Sequence, residues 1–332
     1  MRSIPWKQLL ISLGVIAVIV WRVPFAGLRA AFRSLEMSSL FPAAFCFLVL
    51  LFLRAYKWHC LMAAAGKSHI RQSLRALFGG FALGLITPGR LGELGRCVFV
   101  REEERAQVAL LTVFDRLLDF WALLTSMGAS LFLLASRPAA VFGVAVWLAL
   151  LPVVMAFPAL VSHLFHLARK SSHWRGSFME AAAEMPLVST PRFAIMALGA
   201  MWAELASFFF LLRAFSPTGF TTALATYPYI VLAGDLPVSF SGVGVREGAA
   251  ALLLSFYAVP TVAAVDVSLV WFVFAMLLPA ILGALWLVIE RIKSRGRTSD
   301  SVSLKADPTW RPVAAPPGSL SPETVIPHCD SG

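Results

Sequence analysis

Residues 262–289 read VAAVDVSLVWFVFAMLLPAILGALWLVI, an apolar stretch in which Asp266 is the one charged residue. A helix needs about 20 apolar residues to cross the hydrocarbon core of a bilayer, so this stretch is long enough to span it. The whole chain has the same character, because 59% of its 332 residues are hydrophobic and only 14% are charged. A soluble domain carries roughly 25% charged residues. We therefore predict an all-α polytopic membrane protein.

Further apolar segments precede this stretch, and glycine and proline interrupt two of them, at 74–88 and 222–240. Broken helices at corresponding places in two halves point to a transport site at an inverted repeat. The pattern predicts about six full transmembrane helices plus two broken, re-entrant hairpins, at 74–96 and 222–259. The alternative is that the short segments cross normally, which gives eight spans. The other apolar segments are 6–25, 40–60, 108–135, 139–160, 193–215 and 245–259.

Lysine and arginine residues determine the predicted orientation. The net charge is +10, and most basic residues lie between the apolar segments. Cytoplasmic loops are enriched in Lys and Arg, so we expect both termini to be cytoplasmic. The inward-facing regions are then the linker 162–191, the tail from 291, and the loop after the second segment, whose basic residues are Arg54, Lys57, Lys67, Arg71 and Arg75.

Composition divides the chain into two parts and excludes several classes of function. Residues 1–290 form the predicted transmembrane domain, whereas 291–332 are rich in Pro, Ser and Thr, which predicts a disordered cytoplasmic tail. No basic block interleaves with aromatic residues, which argues against a nucleic acid partner. The four cysteines form no CxxC motif, and no set of His, Cys and carboxylate side chains is complete, so we expect no metal and no cofactor.

Residues 87–96, TPGRLGELGR, combine helix-breaking residues with charges at the end of an apolar segment. Ionisable groups at membrane depth are costly, so they usually face a cavity or pair with one another. An arginine beside free backbone N–H groups suits a lipid phosphate. Arg90, Glu93 and Arg96 are therefore candidate substrate-binding residues. The alternative is a cytoplasmic loop that contacts lipid headgroups.

Two further motifs bring charge into apolar surroundings. The string DRLLD at 115–119 spaces its two aspartates four residues apart, on one helix face. The string SGVGVREG at 241–248 follows a broken helix and opens the next one with an Arg–Glu pair. The alternative for each motif is a structural ion pair. The candidate substrate-binding residues are Asp115, Arg116, Asp119, Asp235, Arg246 and Glu247.

One acid, Glu204, lies in the middle of the apolar segment 193–215. An unpaired acid in lipid is costly, so we expect its side chain to face the helix bundle, where it is either protonated or paired. A role in proton coupling is one interpretation.

Familiar catalytic motifs are absent from the sequence. It contains no HExxH, no GxSxG and no Walker A string. We therefore expect neither an ATP-driven pump nor a hydrolase of familiar type, and we assign no catalytic residues.

The strings TPGRLGELGR, DRLLD and SGVGVREG, in this order, resemble the transmembrane region of the lysylphosphatidylglycerol synthases and the stand-alone flippase-like proteins related to them. The resemblance covers residues 5–290. In that family the membrane region is implicated in moving aminoacylated phospholipid across the bilayer, and in the synthases an aminoacyl-transferase domain follows it. The resemblance implies the stand-alone form in a bacterial cytoplasmic membrane, translocating or handling an anionic or aminoacylated phospholipid or a related lipid.

One departure from the family pattern affects the second hairpin. Family proteins often carry a Pro-Gly-Gly run before the second motif, whereas residues 238–241 read VSFS here, so the tip of the hairpin can differ in shape. Two other functions stay open. One is an integral-membrane lipid-headgroup transferase. The other is a membrane scaffold for a separate lipid-modifying enzyme, which is then a candidate partner.

Overall fold

The computed structural model describes residues 36–66, 69–85, 87, 91–134, 190–236, 242–286 and 288–289, with isolated positions between 141 and 163. The chain divides into two units, Met1–Leu287 and Val288–Gly332, and the description below concerns the first. The predicted spans at 6–25 and 139–160, most of the linker 162–191, and the tail from 291 lie outside the described residues.

The first set of described helices runs from residue 37 to residue 134. Helix α1 is Met37–Ala64 and α2 is Ile70–Leu85. After a break comes a 3₁₀ segment, Leu91–Phe99, and then the long helix α3, Arg105–Leu134. The break follows from the sequence, since proline and glycine at 88 and 89 cannot continue α2 without loss of helical stability.

A second set repeats this order. Helix α4 is Thr190–Phe215 and α5 is Phe220–Asp235. The short helix α6, Val245–Ser255, follows a second break, and α7 begins with Thr261–Phe272. Helix α7 continues through a π-helical segment, Val273–Leu277, to Trp286. Each set therefore contains a long helix, a shorter helix, a break, a short helical segment and another long helix.

Every regular element in the described ranges is helical, which confirms the all-α prediction. Within the part of the chain that the structure describes, three helices are long and apolar enough to cross a membrane, at Met37–Ala64, Pro191–Phe215 and Thr261–Trp286. A helix ends in each predicted hairpin, at Leu85 and at Asp235, but the predicted interruption at Pro228 is wrong, because α5 continues through that proline. The count of six spans, and the re-entry of the two hairpins from opposite faces, stay predictions.

The 3₁₀ segment packs into a groove that glycines make on α2. Side chains three residues apart eclipse in a 3₁₀ helix, so Glu93 and Arg96 lie in one row. A Cβ atom at Gly80 would lie 2.6 Å from Arg96 Cγ, and one at Gly84 would lie 2.7 Å from Glu93 Cγ. The groove thus lets charged side chains pass close to the α2 backbone and reach the interior.

Helices α1 and α4, the first members of the two sets, pack along each other. Helix α3 contacts both α4 and α5, and α7 contacts α4. Large apolar side chains fill the interior between these helices, among them the fully buried Trp58, Phe114 and Phe208. This packing places the charged faces of α1, α3 and α4 around one region of the bundle.

Helix α7 approaches α2 through Gly283, where a Cβ atom would lie 2.2 Å from the carbonyl oxygen of Phe78. We expect Gly283→Ala to lower stability by about 1–3 kcal/mol, because backbone must move to admit the methyl group. Gly248→Ala is the control, since nothing lies within 4 Å of its added Cβ. Thermal unfolding of the two variants in detergent checks this; equal melting temperatures would show that the α2–α7 contact is loose.

Candidate functional site

Charged side chains from α1, the 3₁₀ segment and α3 form a closed ring in which cations and anions alternate. Helix α1 contributes one cation, the 3₁₀ segment contributes one residue of each sign, and α3 contributes two aspartates and an arginine. The ring therefore contains three cations and three anions. In order around it, the residues are Lys57, Asp115, Arg96, Glu93, Arg116 and Asp119.

Asp115 is at the most enclosed side of this charge ring. It lies 2.8 Å from Lys57 Nζ and accepts a hydrogen bond of 2.7 Å from Arg96 Nη1. The side chain of Arg96 is 0% exposed, and its guanidinium lies 4.5 Å from the ring centroid of Trp58. A buried charge requires a partner, and these contacts give both cations at least one.

Arg116 is at the more open side of the charge ring. Its Nη2 atom lies 2.9 Å from Glu93 Oε2 and 3.3 Å from Asp119 Oδ2. Lys57 also donates a hydrogen bond to Asp119, which closes the ring. The side chains of Arg116 and Asp119 are 27% and 21% exposed, in contrast to the other members.

A cavity of about 430 Å³ adjoins this open side. Arg116 and Asp119 belong to its wall, together with an ion pair between α1 and α4 in which Arg54 Nη2 donates to Glu204 Oε2 at 2.8 Å. Asp235, the last residue of α5, is also in the wall. The apolar lining is Leu94, Val113, Leu117, Phe120, Leu123, Ala197, Ala200, Met201 and Val231.

Arg246 and Glu247 form a separate charged centre at the start of α6. Arg246 Nη2 donates to Glu247 Oε1 at 2.9 Å, and its Nε donates to Ser268 Oγ at 3.3 Å. The guanidinium also lies 5.2 Å from the ring centroid of Trp271. Glu247 accepts a hydrogen bond from the Gly244 N–H at 2.5 Å, so it caps the helix whose N-terminus favours an acid.

The turn before α6 depends on two glycines. Gly242 and Gly244 have φ angles of +75° and +88°, in the region that side chains disfavour. A Cβ atom at Gly242 would also lie 2.5 Å from the carbonyl oxygen of Gly234, at the end of α5. The turn therefore fixes Arg246 against the last turn of α5.

The structure assembles most of the predicted site residues, in two places. Arg90 lies outside the described residues. Arg246 and Glu247 belong to the separate centre and do not line the cavity, so their contacts favour the structural ion pair of the two alternatives. Asp235 is in the cavity wall. The charge ring contains Glu93, Arg96, Asp115, Arg116 and Asp119.

The assignment of Arg54 and Lys57 to a cytoplasmic loop is wrong. Both lie inside α1, and the side chains of Arg54 and Lys57 are only 12% and 1% exposed. They pair with acids on α4 and α3, so they are not loop residues and do not support the predicted orientation. Their spacing of three residues on one helix face was the available signal, but a basic pair near the end of an apolar run also fits an interfacial position.

Comparison with known protein families identifies a family to which the chain is similar. The model of the lysylphosphatidylglycerol synthase transmembrane region matches residues 6–283 of the chain. A search of curated proteins gives no match. The family match includes every element described above except the last residues of α7, and it agrees with the resemblance carried by the three charged motifs. The chain belongs to the family of the lysylphosphatidylglycerol synthase transmembrane region.

Proposed function

We propose that this membrane protein translocates a phospholipid between the leaflets of a bacterial cytoplasmic membrane, with the headgroup in the cavity beside the charge ring. The family supports a role in lipid handling. The observation that carries the finer proposal is the wall of the cavity, where two arginines and three acids stand among apolar side chains. Such a wall suits a polar headgroup whose acyl chains stay in lipid.

Both signs of charge in the wall favour a headgroup that also carries both signs. Arg54 and Arg116 can each donate to a phosphate, because a guanidinium offers a fork of N–H groups. The acids Asp119 and Asp235 can accept from an ammonium group. An aminoacylated or zwitterionic phospholipid has both groups and uses both sets of side chains. A plainly anionic phospholipid uses only the arginines.

The rim of the cavity is suited to acyl chains. Leu94, Val113 and Phe120 line the cavity and are 39%, 39% and 47% exposed, although all three are large and apolar. Exposed apolar side chains are expected where a membrane protein faces hydrocarbon. A headgroup in the cavity therefore allows its chains to leave over an apolar edge.

Translocation in vesicles tests the proposal. The variant Arg54→Gln with Glu204→Gln removes one cation and one anion from the wall, so the buried charge stays balanced. Losing a charge-assisted hydrogen bond costs about 1.5–3 kcal/mol, which corresponds to a roughly 10- to 100-fold loss of headgroup affinity. We expect a similar fall in the appearance of an aminoacylated phospholipid in the outer leaflet.

The matched control is Arg213→Gln, which changes an exposed arginine in the last turn of α4, outside the cavity wall. It should translocate lipid at the wild-type rate. A folded double variant with wild-type translocation would overturn the proposed function. Mass spectrometry of the same vesicles separates the alternatives, because a changed headgroup mass would identify a transferase, and a need for an added enzyme would identify a scaffold.

A further inference from the structure

The Arg54–Glu204 pair is placed where a substrate can compete for it. Both residues line the cavity, and Glu204 is 2% exposed. Its Oε2 atom accepts from Arg54, whereas Oε1 is buried without a hydrogen-bond partner among the described residues. Arg54 is therefore the described cation in contact with this carboxylate. A phosphate that enters the cavity and binds Arg54 removes that partner from Glu204.

A carboxylate that loses its cation in a buried site takes up a proton, because burial disfavours the charged form. The exchange keeps the charge balanced. Before binding, the Arg54 cation offsets the Glu204 anion. After binding, the same cation offsets the phosphate, and Glu204 is neutral. The carboxylate gains one O–H bond to a proton that the buffered solution supplies, and the conjugate base of the buffer remains in solution.

We propose that Glu204 is a proton-coupling residue: binding of a lipid phosphate to Arg54 loads one proton on Glu204, and departure of the phosphate releases it. The inference rests on the proposed function, since it needs a headgroup in the cavity. It adds a source of energy for directional movement, because a proton gradient across the membrane then acts on the occupied and empty states of the cavity differently.

The charges around Glu204 come from three elements packed near it. Helix α1 presents Arg54 to this carboxylate, and α5 presents Tyr227, which in turn interacts with Asp235. Helix α3 presents Arg116 and Asp119 on the cavity wall. The buried hydroxyl of Tyr227 lies close enough to interact with this carboxylate, and it can donate a hydrogen bond to Glu204 while the acid is deprotonated.

The other two acids of the cavity wall have less reason to take up a proton when a phosphate binds. Asp119 contacts two cations, Lys57 and Arg116, so it keeps one if a phosphate takes the other. Asp235 stands at the exposed end of α5, where water stabilises the anion. Glu204 is thus the acid whose protonation follows most directly from substrate binding.

 Asp235 and Glu204 differ in their exposure to water. Asp235 is exposed at the end of α5, whereas Glu204 is buried in the middle of α4. Water stabilises the anion of an exposed acid, so Asp235 has no comparable reason to take up a proton when a phosphate arrives.

The experiment measures binding of glycerophosphocholine to the full-length purified protein by titration calorimetry between pH 6 and pH 8. This probe carries a phosphodiester and a quaternary ammonium, and neither group titrates in that range. If binding takes up one proton, the Kd of the wild type rises about tenfold for each pH unit. Two buffers with different ionisation enthalpies should also report one proton taken up per molecule bound.

Glu204→Gln should make binding independent of pH, with a Kd at pH 8 no weaker than that of the wild type at pH 6, because a neutral amide leaves Arg54 available. Asp266→Asn is the matched control, since Asp266 is a partly buried acid of α7 outside the cavity wall, and it should keep the tenfold slope.

Three outcomes count against the inference in distinguishable ways. Wild-type binding without pH dependence or proton uptake overturns the coupling and leaves the proposed function standing. A Glu204→Gln variant that keeps the wild-type slope assigns the proton to another group. No binding by the wild type at any pH overturns the proposed function, and the coupling with it. Absence of proton uptake by the wild type overturns the coupling even where the variant does not fold.

Discussion

Arg96→Met is expected to lower the stability of the protein by about 3–5 kcal/mol, because it removes one partner of a buried ion pair and leaves the other charged. Arg96 is fully buried, and its loss leaves Asp115 and Glu93 with one cation fewer. The measurement is unfolding of the purified protein in detergent, by denaturant or by heat.

A second substitution should restore most of this loss. Arg96→Met with Asp115→Leu removes two neighbours from the charge ring and leaves an open chain of four alternating charges, Lys57, Asp119, Arg116 and Glu93. Replacing a buried ion pair with apolar side chains is often neutral or stabilising. We expect the double variant to lie within about 1.5 kcal/mol of the wild type.

Arg105→Met is the matched control for the single variant. Arg105 pairs with Glu102 at the same i,i+3 spacing as Arg96 and Glu93, but its side chain is 48% exposed. An exposed ion pair contributes about 0–1 kcal/mol. If Arg96→Met lowered stability no more than Arg105→Met does, water would have to reach the charge ring, and the ring would not be a buried element of the fold.

Much of the helical layout follows from hydropathy and from helix breakers. The long apolar segments correspond to α1, α4 and α7, and the prolines and glycines at 88–89 and 237–244 follow the last residues of α2 and α5. These features are local, so the sequence contains them directly. The 3₁₀ form of Leu91–Phe99 was not predictable in this way, because it depends on the groove that α2 offers.

Only part of the candidate site could be predicted from the sequence. The motifs at 87–96 and 115–119 carry their charges close together, so their acids and arginines were recognisable. Lys57 and Arg54 were not, because each partner lies on a distant helix: Asp115 for Lys57 and Glu204 for Arg54. A single sequence shows that a charge needs a partner but not which helix supplies it.

The two sets of helices also differ in a way that bears on function. In the first set, Arg96 meets Asp115 of α3, whereas in the second set Arg246 meets Ser268 of α7. The charged residues of the first set therefore continue through α3 to the cavity. In the second set, the Arg246 guanidinium contacts a hydroxyl and aromatic rings instead. The short segment of the first set thus joins a charge ring beside the cavity, whereas the short helix of the second set closes an ion pair outside the cavity wall.

This difference leads to the prediction with the largest effect on binding. We expect a variant that neutralises both ion pairs of the cavity wall to lose at least about 100-fold in affinity for glycerophosphocholine. Each lost charge-assisted contact to the phosphate corresponds to about 1.5–3 kcal/mol. The paired changes keep the buried charge balanced, so they limit damage to the fold. The substitutions are Arg54→Gln, Glu204→Gln, Arg116→Gln and Asp119→Asn.

The comparison variant is Arg246→Gln with Glu247→Gln, which is also charge-balanced. A glutamine at 247 can still accept the hydrogen bond from the Gly244 N–H, so the start of α6 keeps its cap. Neither residue lines the cavity, and we expect the affinity of the folded protein to stay within about threefold of the wild type. Calorimetry on both variants at one pH gives the result. If the Arg246 variant lost binding while the cavity variant kept it, the headgroup would bind at the second hairpin, and the cavity beside the charge ring would have no part in recognising lipid.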